Sequence, residues 1–263
     1  VKLSPSKIAT AMKCPEQFRL RYVEHVPELS SWTLLAGRVF HAVVETALKH
    51  VMAGDGLLSA TALDDLFSVK WSAEIREEEA KDWFFGWEAP REAKDQPALL
   101  MVGYRKLVKL AREGVLPKLK PKLVEHTFEV EFDGLHGSPD FVVKGVIDLV
   151  EEDGTLSDWK TTGRVKEERL DPQFPFYSFH VSKLTGKSDV RVQKIYMVFD
   201  DEGARIQRRS YVVGEAHRNW FHRVAAEVAK MVATGVYVMN PNGWWCSEAF
   251  CPHWRGCVGE LQP

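Results

Sequence analysis

The chain has 263 residues, 45% hydrophobic and 27% charged, with a formal net charge of −2. That length buries one substantial core, or one core with a small appended module, and the composition is that of an ordinary soluble globular protein. No apolar run approaches the roughly 18 residues of a membrane span, no charged leader opens the chain, and the near-neutral charge excludes a globally basic surface; a cytoplasmic protein is expected.

Ser4-Pro5-Ser6 reads as a helix start, with hydroxyl caps and proline in the first turn. Helix then runs to about Tyr22, interrupted near Cys14-Pro15. A strongly helical stretch covers Thr33 to Met52 and ends at Gly54. Two more helical segments span about 61–82 and 95–114, joined by the aromatic stretch Trp83-Phe84-Phe85-Gly86-Trp87, whose rings could pack helices or stack bases. Charge is segregated here. Residues 55–95 are acid-rich around Glu77-Glu78-Glu79, whereas 102–122 carry Arg105, Lys106, Lys109, Arg112, Lys118, Lys120 and Lys122. Such runs read as solvated helix faces, or in the basic case as part of a phosphate channel.

The period changes at Leu123. From there to Phe132 the chain alternates as a half-buried strand, with Val124, His126, Phe128, Val130 and Phe132 on one face. Glu125, Thr127, Glu129 and Glu131 take the other. Phe141–Val150 is apolar on both faces, as in a central strand, and Leu156–Thr161 is a third, short strand. Asp171–Leu184 reads as a helix, Val190–Phe199 and Ile206–Val213 as strands, and Glu215–Thr234 as a long helix. Residues 236–263 are rich in Trp, Pro, Gly and Cys and lack periodicity.

The strongest chemistry lies in Gly145-Val146-Ile147-Asp148 and, ten residues after that acid, Asp158-Trp159-Lys160-Thr161. On a strand, Asp158 and Lys160 share a face while Trp159 packs into the other. Turn length decides whether the acids meet. A two-residue Asp153-Gly154 turn sets Asp148 against Trp159, on opposite faces. A three-residue Glu152-Asp153-Gly154 loop, with Gly154 left-handed, sets Asp148 opposite Asp158, with Cβ atoms about 5 Å apart. Hard oxygen donors so placed suit Mg²⁺ or Mn²⁺, and Lys160 would offset negative charge on a phosphate.

Together with Gly37-Arg38-Val39-Phe40-His41 and Gln173-x-x-x-Tyr177, these residues resemble the motif set of RecB-like PD-(D/E)XK nucleases, from Ser4 to Cys257. The resemblance implies that His41, Asp148 and Asp158 bind the divalent ion and that Lys160 is catalytic. On its own, His41 reads as a packed core histidine. Glu45, one turn on, reads as a surface pair. Gln173 and Tyr177 would face the cleft together, with Asp171 capping their helix and both prolines held in its first turn, where missing amides cost little.

All four cysteines fall in one pattern: Cys14 near the start, then Cys246-x4-Cys251-x5-Cys257. Four thiolates hold an iron–sulfur cluster or a tetrahedral zinc ion, and a reducing compartment disfavours disulfides. The tight Cys-x2-Cys knuckles of most zinc sites are missing. The arrangement resembles AddB-type nucleases and CRISPR-associated RecB-like exonucleases, which implies a 4Fe–4S cluster tying the chain ends together.

The expected fold is α/β, a restriction-endonuclease-like mixed sheet flanked by helices, with a helical N-terminal region and a C-terminal cysteine clasp. Its parts would be residues 1–120, a nuclease core at 121–235 and the clasp at 236–263, in one compact unit. The implied function is metal-dependent DNA exonuclease action on single-stranded ends, beside recombination or CRISPR adaptation proteins. A catalytically silent DNA-binding scaffold and a structure-specific endonuclease are the alternatives.

Overall fold

A computed structural model describes residues 1–28, 31–79, 97–165, 171–248 and 250–258. The aromatic stretch from Trp83 to Trp87 lies outside the described residues. Strand β1 (Lys2–Leu3) leads into α1 (Pro5–Lys13), whose cap Ser4 accepts a hydrogen bond from the Lys7 amide. Cys14 is extended and separates α1 from α2 (Pro15–Phe18), which runs on as a π-helical turn, Arg19–Val23. Three long helices follow: α3 (Trp32–Met52), α4 (Ala60–Glu79) and α5 (Pro97–Gly114). Then come β2 (Pro121–Phe132), β3 (Phe141–Glu151), β4 (Leu156–Thr162), α6 (Gln173–Thr185), β5 (Val190–Asp200), β6 (Gly203–Val213) and α7 (Glu215–Thr234). A short α8 (Trp254–Cys257) closes the described chain. No described helix is long and apolar enough to cross a membrane.

The sheet is mixed and six-stranded, and helices cover both faces. Its order is β1, β3, β4, β5, β6, with β2 on the other edge of β3. Strand β4 runs parallel to β5, and the β2–β3, β3–β4 and β5–β6 pairs are antiparallel. One core lies beneath α3, α4 and α5 and takes Leu149, Trp159, Ile195 and Met197 from the sheet. The other lies beneath α1, α6 and α7 and takes Phe128, Phe141, Val143, Ile147 and Val192. This is the α/β sandwich that the strand and helix periods predict.

One edge of β3 decides where chemistry can occur. β1 pairs with it at Val142–Val143, and β4 pairs with it only at Leu149–Val150. Between those contacts β3 and β4 diverge. A continuous sheet keeps side chains of its two faces apart, so groups from both helical layers can meet only where the ladder opens.

The predicted alternation in β2 needs one correction. Val124 does not share a face with Phe128 and Phe132; it belongs to the opposite core. The phase slips at Glu125, whose φ is +48°. Strand β3 slips in step, since Ile147 and Leu149 lie in different cores although two residues apart. Alternation predicts one face only while the backbone stays extended.

Candidate active site

The β3–β4 hairpin adopts the longer loop. The Glu151 amide bonds to the Thr155 carbonyl at 2.9 Å, leaving Glu152, Asp153 and Gly154 as the turn. Gly154 has φ +87°, a conformation that a Cβ would strain. Asp153 steadies the turn by accepting from the Thr155 amide at 2.8 Å. The register that follows pairs Val150 with Leu156 and Leu149 with Ser157, and Asp148 and Asp158 are the next residue of each strand beyond that last pair. Asp148 Oδ2 accepts from the Trp159 amide at 3.1 Å. Trp159 itself packs edge-on against Phe40 in the core beneath α3.

From α3, His41 Nδ1 lies 3.5 Å from Asp148 Oδ2. From β2, Glu125 brings a third group. Donor atoms of His41, Glu125 and Asp148 lie within 4.8 Å of one another, close enough to share a cation. Alternation had put Glu125 on a polar face with Glu129 and Glu131, and no residue type marks the slip that redirects it. Asp158 is buried, and among the described residues its Oδ2 accepts no hydrogen bond, although the Lys160 ammonium stands 3.0 Å away.

Burial sets the protonation of these groups. It pushes Asp158 up to about 6, opposed by the Lys160 charge and reinforced by Asp148. Asp148 is raised in the same way, against the pull of Lys160 and the Trp159 amide. Glu125 rises to about 7 through burial, then through repulsion from Asp148 and Glu45. His41 falls, mainly by burial, and so favours the neutral ring that ligates metals. Burial also works against the Lys160 ammonium, but the Asp158 charge and hydrogen bond outweigh it and hold its pKa above the ordinary lysine value. The donors are neutral imidazole and hard carboxylate oxygen, a set that fits Mg²⁺ or Mn²⁺.

From the other layer come Gln173 and Tyr177, one turn apart on α6. Gln173 receives a hydrogen bond from Lys160 Nζ at 3.1 Å through Oε1, and donates from Nε2 to Asp158 Oδ1 at 2.8 Å. The same Nε2 lies 3.3 Å from the Tyr177 hydroxyl. Asp171 accepts from the Gln173 backbone amide at 2.9 Å, but the cap position of the helix is Pro172 and not Asp171 as expected. Gly145 lets this helix approach: a Cβ there would sit 2.6 Å from Phe176 and 2.9 Å from Tyr177. The sequence thus placed His41, Asp148, Asp158, Lys160, Gln173 and Tyr177 in one locus, and the structure brings all six together.

Over residues 2–258 the chain matches the PD-(D/E)XK nuclease superfamily. It belongs to that superfamily. Among solved structures, it resembles a protein from Eubacterium rectale named "Putative exonuclease", at 10% identity, with a TM-score of 0.56 over 93% of this chain and 86% of that one. A second, SSO0001, aligns at 16% identity over 97% and 96% of the two chains, with a TM-score of 0.40. Among curated proteins, no match is found. As a PD-(D/E)XK fold, the mixed sheet with helices on both faces is restriction-endonuclease-like.

Several charges of this superfamily member have structural partners instead. Arg105 contacts Asp64 at 3.3 Å and the Ser68 hydroxyl at 2.5 Å, and Arg112 donates to the Leu58 carbonyl at 2.9 Å. Those two guanidiniums of the basic run therefore bind the α4 side and not a phosphate path. Glu45 pairs with Lys49 at 2.6 Å, as a surface pair should. Arg38 bridges to Glu74 and to buried Glu78 on α4, at 2.8 and 2.5 Å.

The four cysteines are free thiols and line one narrow pocket, with Gln17, Met239, Trp245, His253 and Trp254. Burial raises the pKa of Cys246, Cys251 and Cys257, and neighbouring cysteine charges add to it. Asn240 ties the tail to α1 by donating to the Lys13 carbonyl at 2.9 Å, and buried His253 meets Glu28 at 2.9 Å.

Proposed function

We propose that the protein is a Mg²⁺- or Mn²⁺-dependent deoxyribonuclease of the RecB-like branch, an exonuclease acting on single-stranded DNA ends. The observation that carries the reading is the meeting of both acids where the β3–β4 ladder ends: Asp148 accepts from the Trp159 amide at 3.1 Å, and the Lys160 ammonium stands 3.0 Å from Asp158. His41, Asp148 and Asp158 would hold the ion. When bound, it supplies Lewis-acid stabilisation of a phosphate and lowers the pKa of a water.

The remaining work falls to side chains. Lys160 Nζ, protonated at neutral pH, stabilises negative charge developing on phosphate oxygen and holds the attacking water by hydrogen bond. Gln173 fixes Lys160 and Asp158 at once, so neither rotates away when substrate enters. Tyr177 steadies Gln173 in turn. One cleft is bordered by Lys2, Lys7, Lys144, Glu129 and Tyr177, and another by His41, Trp159 and Lys160. Their cations suit a polyanionic strand. The preference for single-stranded ends, and a setting beside recombination or CRISPR adaptation proteins, rest on the resemblance of the motifs and cysteines.

The cysteine cavity holds, in this reading, a 4Fe–4S cluster. The four thiols line one pocket, and the choice of cluster rests on the resemblance of the cysteine pattern. Its role is structural, joining Cys14 to the three cysteines at 246–257.

End-labelled single-stranded DNA and covalently closed circles, each with Mn²⁺, test the activity. Wild type is expected to release nucleotides from labelled ends and leave circles intact. Lys160→Ala should lower the rate by about 10²–10³-fold, and Asp148→Ala at least as much. Equal release by wild type and both variants would remove these residues from the chemistry; cleavage of circles would make the enzyme an endonuclease.

A further inference from the structure

Around the His41–Asp148 contact stand four carboxylates, Glu45, Glu125, Asp148 and Asp158, and the two ammonium groups of Lys49 and Lys160. Glu125 is the group whose position lacks another explanation. Glu129 and Glu131 on the same strand are exposed, whereas Glu125 is half-buried. Its carboxylate has neither a hydrogen bond nor an ion pair among the described residues, and its nearest charged neighbours include acids. A half-buried anion without a partner is costly.

The local backbone aims it. In the β2–β3 register, Val124 pairs with Leu149 and His126 with Ile147, so Glu125 stands opposite Asp148. The positive φ at Glu125 shifts the side-chain phase towards α3. His41, Glu125 and Asp148 thus come from a helix and two adjacent strands onto one point.

We propose that Glu125 is a protein ligand of the divalent ion, completing with His41 and Asp148 a donor set that the β3–β4 motif pair alone does not supply. This rests on the nuclease reading only in assuming that an ion binds here. One consequence follows for the neighbouring acid. Asp158 need not lie in the closest donor group to be used, because Lys160 and Gln173 already hold it in place.

Mn²⁺ binding to metal-stripped protein, followed by electron paramagnetic resonance without DNA, tests the assignment. Glu125→Gln is expected to weaken Mn²⁺ binding by about tenfold or more. Glu45→Gln removes an equal charge from the α3 side but no donor from the group, and is expected to weaken it less. Wild-type affinity in E125Q would overturn the proposal. Equal losses in E125Q and E45Q would overturn it too, since Glu125 would then act through charge alone. Metal-stripped E125Q should melt no lower than wild type, and a large drop would mark Glu125 as a structural group and not a ligand. Asp148→Ala separates the two levels: if it keeps full Mn²⁺ affinity the metal centre itself is misassigned, whereas its loss beside an unaffected E125Q rejects Glu125 alone.

Discussion

At the scale of single residues, the site is a set of acids held where their charge is unfavourable. Glu125 shows the consequence for stability. Its pKa of about 7 lies above the ordinary 4.5, so the folded chain holds this proton more tightly than the unfolded chain does. Stability from this group is therefore present below about pH 4.5 and lost as pH rises towards about 7. In EDTA, the melting temperature of wild type should fall relative to E125Q across that window and then run parallel to it. A difference that stays constant from pH 4.5 to 8 would contradict the placement. Asp158, raised to about 6, contributes a fall of the same sign to both proteins. These acids differ in how readable they were. Asp148, Asp158 and Lys160 stand out because their spacing on strands puts them on one face for one turn length. Glu125 does not stand out, since a glutamate at positive φ carries none of the residue-type signal that Gly or Asn would give.

Among elements, the decisive feature is the hairpin loop. The sequence Glu152-Asp153-Gly154-Thr155 permits two registers, and only one unites the acids. Gly154 at φ +87° and the Asp153 side chain on the Thr155 amide select the three-residue loop. Helices α3, α5 and α7 were legible from their apolar period, and α6 from the Asp171-Pro172 start. The divergence of β3 from β4 was not legible. It depends on β1, a two-residue strand too short to have a period, taking the far part of the β3 edge. That divergence lets α3 and α6, on opposite faces of the sheet, present His41 and Gln173 to the same pair of aspartates. On α5, periodicity shows that Arg105 and Arg112 share a helix face, but not that Asp64 and Leu58 lie across it.

For the molecule as a whole, the chain closes on itself twice. β1 enters the sheet beside β3, and the C-terminal segment returns to α1 and α2 at the four cysteines. A group ligated by Cys14 and by the cysteines of the tail contributes its binding free energy to folding. Cys14→Ser is accordingly expected to lose bound iron, its visible absorption and about 5 °C or more of melting temperature together, since one kcal/mol moves a chain this size by roughly 2–4 °C. An unchanged spectrum and melting temperature would argue against the clasp. The hydrogen bond of Asn240 to Lys13 and the His253–Glu28 contact brace the same junction. In the opened sheet, the proposed cation would meet side chains from both faces. Crystals soaked in Mn²⁺ and measured for anomalous scattering address it directly. The account predicts a peak about 2.1 Å from carboxylate oxygens of Asp148 and Asp158, with the His41 ring beside it. A map without density at that point, or with manganese bound only elsewhere, would contradict it.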